Sequence, residues 1–178
     1  MSGLLAAPFL ASAALLVVAG VPKVRDPLPL VRAVRAAGLP LGRTSVRVLA
    51  ALEVLVGVWA VAAPGRLVAG LVAAAYLVFT AFVLWTLRRG GFLTSCGCFG
   101  KADTPPTRSH ALVTGAAAVG AALVAVDPAA GTWLSSTTSA GDVAGTLALA
   151  GLLGFLAWQV LAVLPTTAPA AIRSIGKG

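Results

Sequence analysis

The sequence predicts an all-α fold, a polytopic membrane bundle of five spanning helices, and three observations predict it. The first is composition: of 178 residues, 59% are hydrophobic and 10% charged, with a mean hydropathy of +0.99. A soluble domain carries about 25% charged residues, so this chain has too few charges to cover a surface in water. The second is a set of five apolar stretches near Leu4–Val21, Val46–Ala63, Leu67–Leu87, Ala111–Val126 and Val143–Leu164. Each approaches or reaches the roughly 17–25 residues that a helix needs to cross a bilayer. The third is that the basic residues crowd into alternate connections between these stretches.

Helices rather than strands follow from unbroken hydropathy without period-two alternation. The first stretch lacks a charged leader, so it reads as a retained helix rather than a signal peptide. Within the later stretches, "GLVAAAY" (70–76), "GAAAVGAA" (115–122) and "GTLALAGLLG" (145–154) repeat small residues every three or four positions. That spacing lets helix backbones approach closely in lipid. Trp59, Trp85 and Trp133 fall near the predicted interfaces as aromatic anchors.

Five spans place Lys23, Arg25, Arg32, Arg35, Arg43 and Arg47 on one side of the membrane. Arg88, Arg89, Lys101, Arg108, Arg173 and Lys177 share that side, and Arg66 alone lies opposite. Because cytoplasmic loops are enriched in Lys and Arg, this predicts an outside N-terminus, with the third connection and the C-terminus cytoplasmic. The net charge of +8 thus reads as topology and contact with anionic headgroups of the lipid bilayer. Nucleic-acid binding is disfavoured because aromatic residues are not interleaved with the charges.

The first connection, "VPKVRDPLPLVRAVRAAGLPLGRTS" (21–45), is broken by prolines. Between them, "PLVRAVRAAG" sets Leu30, Val31 and Val34 on one face and Arg32 and Arg35 on another, which predicts a short amphipathic helix on the inner membrane surface. Gly38-Leu39-Pro40 reads as its end.

The third connection, "RRGGFLTSCGCFGKADTPPTRS", carries the two cysteines of the chain, Cys96 and Cys98. A Cys-x-Cys disulfide closes a small ring that cannot easily relax, and such strain makes the bond labile. Gly97 supplies the backbone freedom, and Arg88, Arg89 and Lys101 favour the reactive thiolate. Three chemistries suit the pair: thiol–disulfide exchange, copper(I) binding with further ligands from a partner, or palmitoylation of juxtamembrane thiols. A closed zinc site needs four ligands, and this chain offers two Cys and His110.

Glu53 is the carboxylate placed well inside a span, which by default marks a functional site. Lys23, at the end of the first span, is its natural partner. The pair suits either proton exchange or contact with a quinone-like headgroup. His110 opens the fourth span and reads as a helix-cap residue, and Gln159 in the last span as a hydrogen-bonding contact between helices.

Three motifs carry a family resemblance. "AGVPKVRDP" (19–27) is similar to the G-x-x-K-x-R-D-P signature that follows the first helix of the MauE/DoxX-like redox-associated membrane proteins. "LEVLVG" (52–57) matches the family's glutamate in the second helix, and "CGCFG" (96–100) matches the motif after the third. Order and spacing agree across about residues 4–126. The resemblance implies a four-helix core over residues 1–126, with 127–178 adding an extracytoplasmic loop, a fifth C-terminal transmembrane helix and a basic tail. It further implies that Cys96 and Cys98 form a redox pair accompanied by Lys23, Arg25, Asp26 and Glu53. The founding members serve maturation of methylamine dehydrogenase, whose small subunit is rich in disulfides. Two departures stand out: "RSHALVTG" where relatives often have Trp and Arg-Asn, and the fifth span itself.

The expected function is therefore a membrane thiol–disulfide oxidoreductase or electron relay. It would cycle Cys96 and Cys98 with a thioredoxin-like partner and a quinone as the other couple. The competing expectation is a non-catalytic membrane subunit or a copper- or zinc-binding scaffold for a partner complex.

Overall fold

In lipid no water is available to pair with backbone N–H and C=O groups, so apolar spans close their hydrogen bonds within helices. The computed structural model describes residues 5–89, 107–133 and 139–163. Its helices are α1 (Ala6–Arg25), α2 (Leu28–Ala36), α3 (Arg43–Ala62), α4 (Arg66–Arg88), α5 (Arg108–Val126) and α6 (Ala140–Trp158). All but α2 are long and apolar enough to cross a membrane. The protein is a multi-pass membrane bundle, with five helices among the described residues able to span a bilayer.

α1 is the central helix. Protein encloses 56% of it, against 11% of the last span. Its partners are α3, α5 and α6, while α4 packs chiefly on α5. The main core joins Phe9, Ala13 and Leu16 of α1 to Ala60, Val72, Tyr76, Ala118 and Val124. Two of the small-residue runs serve this packing, burying Ala73 and Ala118. The third buries only Ala150, which packs against Ala7 and Leu10 of α1.

Two glycines set the α1–α3 spacing. A Cβ at Gly57 would lie 2.7 Å from the Ala13 carbonyl oxygen, and one at Gly20 would lie 2.7 Å from Val54 Cγ2. Backbones this close have no room for a side chain.

Helix ends run past the hydropathy boundaries. α1 continues through Pro22 and Lys23 to Arg25, and α5 begins three residues before the apolar run. Both extensions recruit a charged or polar residue into the bundle. The amphipathic α2 forms as expected, but its apolar face turns inward. Val31 and Val34 are buried against Val46, with Phe82 and Leu41 packed beside them, rather than lying in the membrane surface. Arg32 and Arg35 are exposed. α2 stops at Gly38, whose φ of +81° suits a residue without a Cβ. There Leu39 N–H bonds to Val34 O, and Gly38 N–H to Arg35 O, each at 2.9 Å, which closes the helix end with a Schellman pattern.

At the opposite end of the bundle a 3₁₀ turn, Pro128–Gly131, closes under α1: Leu5 N–H donates to Ala130 O at 3.0 Å. Trp133 Nε1–H donates to Val61 O at 3.2 Å, tying this connection to α3.

Candidate functional site

A lysine in the last turn of α1 has its Cα–Cβ bond tilted toward the helix N-terminus. Lys23 therefore reaches back into the bundle instead of out to the surface. Its Nζ donates to Glu53 Oε2 at 2.7 Å, and the two residues are 2% and 5% exposed. Gly20 makes the pair reachable, because its missing side chain brings Glu53 beside α1. The ammonium also lies 4.8 Å from the centroid of the Phe79 ring, whose electron-rich face attracts a cation. The partner expected for Glu53 is thus the one it has.

Three further polar side chains gather next to this pair. Tyr76 O–H donates to the Ser12 carbonyl at 2.7 Å, linking α4 to α1. Thr80 Oγ1 lies 2.8 Å from both Tyr76 O and Thr114 Oγ1. Thr114 O–H in turn donates to His110 O at 2.7 Å.

His110 is the third residue of α5 and closes a capping box with Thr107. Its Nδ1 lies 2.8 Å from Thr107 Oγ1, and its Nε2 lies 2.9 Å from Leu161 O. A carbonyl only accepts, so Nε2 carries the hydrogen, and Nδ1 accepts from the Thr107 backbone N–H at 3.4 Å. The neutral Nε2–H tautomer satisfies every contact. Leu161 belongs to a π-helical turn, Gln159–Val163, that ends α6. His110 gives the Leu161 carbonyl a hydrogen-bond partner from another helix. It thereby fastens the end of α6 to the start of α5.

Lys23, Tyr76, Phe79, His110, Thr114 and Leu161 line a small cavity of about 30 Å³ whose surface is almost wholly apolar. The described chain leaves α4 at Arg89, whose guanidinium lies 4.6 Å from the Trp85 ring centroid. It resumes at Thr107, one turn before His110. The connection that carries the cysteine motif therefore starts and ends at the end of the bundle that holds this cavity.

Of the sequence-predicted residues, Lys23 and Glu53 are brought together. Arg25 and Asp26 are not; both are exposed, and Asp26 Oδ1 accepts from Leu28 N–H at 3.1 Å to start α2. Cys96 and Cys98 lie outside the described residues. Among the described residues, no three His, Cys, Asp or Glu side chains come together. Tyr76 and Thr114 were not singled out by the sequence. Tyr76 carries one signal, as the sole tyrosine of the chain in an otherwise apolar span.

A family model described as methylamine utilisation protein MauE matches residues 1–128. No curated protein and no solved structure matches the chain.

Proposed function

The chain belongs to the MauE family, and from that premise we propose that it is a membrane thiol–disulfide redox protein working through Cys96 and Cys98. The observation that carries the reading is the position of its two thiols. They fall in the connection between Arg89 and Thr107, and the described helices that flank it, α4 and α5, carry Tyr76 and His110 of the buried polar set.

In the cycle, a thiolate of a thioredoxin-like partner attacks the Cys96–Cys98 disulfide and forms a mixed disulfide. The partner's second thiol then displaces the bound cysteine. The partner leaves oxidised, and Cys96 and Cys98 become a dithiol carrying the two electrons and two protons. Ring strain in a Cys-x-Cys disulfide favours this direction. Lys23 and Glu53 serve as the charged pair that passes protons at the inner end of the loop, with Tyr76 and His110 holding the cavity between them. By the distribution of Lys and Arg, the N-terminus faces outside and the cysteine loop faces the cytoplasm.

The test is complementation of a strain lacking the protein, combined with maleimide labelling. Cys96→Ser and Cys98→Ser are each expected to abolish function while still inserting. A partner lacking its second thiol is expected to be trapped as a mixed disulfide on the wild type and on neither serine variant, which has no disulfide to attack. A membrane-impermeant maleimide should label the reduced wild type only after permeabilisation. Full activity in both serine variants overturns the redox reading. Stoichiometric copper or zinc on the purified protein favours the scaffold instead.

A further inference from the structure

α6 does not follow α1 along its whole length. Near one end Ala150 packs on Ala7 and Leu10, and near the other Leu161 shares a cavity wall with Leu15 and Ala19. At 3.6 residues per turn, those two sets of α1 positions face directions about a third of a turn apart. α3 keeps to one face, meeting α1 at Ala13 and Val17 and again at Gly20. α6 therefore swings away from α3 toward the Lys23 end of the bundle. The wedge left between them is a groove of about 450 Å³, floored by α1 and walled by α6 and by Val61 of α3. Its residues Val18 and Phe155 are 51% and 52% exposed, so it is open along its side.

Two helical rows lead from this groove to an arginine. Ala11 and Val18 line it on α1, and Arg25 follows at the same interval. Val61 lines it on α3, and Val54 and then Arg47 precede it at that interval. Positions seven apart drift only about 20° around a helix, so both rows stay on the groove side. Their ends meet, because Arg47 Nε–H donates to Val24 O, in the last turn of α1, at 3.1 Å.

Both arginines are exposed. Among the described residues neither pairs with a carboxylate, the one ion pair being Lys23–Glu53. Asp26, next to Arg25, turns its carboxylate to the Leu28 N–H instead. The Cα–Cβ bond of Arg25 tilts toward the N-terminus of α1, which leans the side chain back toward Val18. Arg47 uses its Nε–H on Val24 and keeps four further N–H donors.

An apolar groove that ends at two guanidiniums describes one class of ligand. The tail is hydrocarbon, since the walls are aliphatic and aromatic side chains and two glycines. The head is a phosphate, whose oxygens match the fork of donors on a guanidinium. A zwitterionic head would bring its own cation against two arginines, so the head carries net negative charge. The length agrees as well. Arg25 stands about 21 Å along α1 from Ala11, and half a bilayer with its headgroups is about 20–22 Å deep.

We propose that the groove binds an anionic glycerophospholipid, its phosphate held by Arg25 and Arg47 and one acyl chain lying along α1 and α6. The site gives a role to Arg25, the motif residue that stands apart from the buried Lys23–Glu53 pair. It is narrower than the general attraction of a basic surface for anionic headgroups, because it fixes the phosphate on two residues and the tail in one groove. α6 falls beyond the family-matched residues 1–128, so the tail site is something this chain adds to its family.

The test uses the purified full-length protein in detergent and phospholipids brominated at mid-chain, which quench tryptophan on contact. Trp158 lines the groove, and Trp158→Phe is the blank for the other tryptophans. Brominated phosphatidylglycerol should quench Trp158 saturably, with a midpoint about tenfold below that of brominated phosphatidylcholine. Arg25→Gln/Arg47→Gln should remove that difference, whereas Arg32→Gln, at an exposed arginine of α2, should leave it. Gly151 lines the groove and a Cβ there meets nothing within 4 Å, so Gly151→Leu should raise the midpoint for both lipids.

Equal midpoints for the two lipids in the wild type overturn the anionic headgroup. So does a loss of preference as large in Arg32→Gln as in the double variant, which would mean diffuse attraction. Non-saturable quenching, or a midpoint unmoved by Gly151→Leu, overturns the groove as the tail site. If neither lipid quenches Trp158, the proposal falls, and a dimer that Gly151→Leu then splits would put a second copy of the chain in the groove.

Discussion

Lys23 is tolerated in an apolar bundle because its charge is met within one hydrogen-bond length by Glu53 and its ammonium also lies over the Phe79 ring. Removing one member of a buried pair strands the other, which costs about 3–5 kcal/mol, whereas replacing both with apolar residues is often neutral. Glu53→Leu should therefore lower the thermal midpoint in detergent sharply, and Lys23→Met/Glu53→Leu should restore most of it. The double variant separates two roles. If it is stable but fails complementation, the pair takes part in function. If it is stable and fully active, proton passage through the pair is excluded. The pairing was legible in the sequence, because Glu53 is the one carboxylate deep in a span and Lys23 the nearest cation in the chain order of the spans. The other contacts were not. Tyr76 and His110 bond to the backbone carbonyls of Ser12 and Leu161, and a sequence does not mark which carbonyls a fold will present.

Among the elements, α1 and α3 form the closest pair, and two glycines set their separation. At Gly57 the obstructing atom includes a backbone oxygen, which cannot rotate away. Gly57→Ala should thus push the helices apart and destabilise the protein by about 1–3 kcal/mol. Gly70→Ala, where a Cβ meets nothing within 4 Å, should be neutral or slightly stabilising. Unfolding midpoints of the two variants, measured side by side, check this. Equal effects would mean the α1–α3 contact is not what limits stability. The spans themselves were legible because hydropathy is a local signal. Their ends were not, since helix α1 carries Lys23 and Arg25 past the apolar boundary, and α5 gathers Arg108 and His110 before it. α2 shows the same limit: its amphipathic pattern was plain, but whether Val31 and Val34 meet lipid or protein depended on where α3 and α4 stand.

Across the whole molecule, the lateral groove was invisible in the sequence, where the 145–154 small-residue run looked like those that pack tightly. Only the placement of α6, held at its end by His110 and otherwise largely exposed, leaves the space open. The ion pair carries one more consequence, for how the chain enters the membrane at all. Glu53 stands at the middle of α3, where a carboxylate opposes partition from the translocon by about 2.5–3.5 kcal/mol. Held against Lys23 of the preceding span, it presents a neutral couple to the lipid. α1 and α3 are then expected to leave the channel as one hairpin rather than one after the other. In a glycosylation-reporter assay, α3 preceded by wild-type α1 should insert more completely than α3 preceded by α1 bearing Lys23→Ala. Equal insertion would mean the pair forms only after both spans are in place. On this view the charged couple acts first during synthesis, as the means by which a reluctant second span leaves the channel alongside the first.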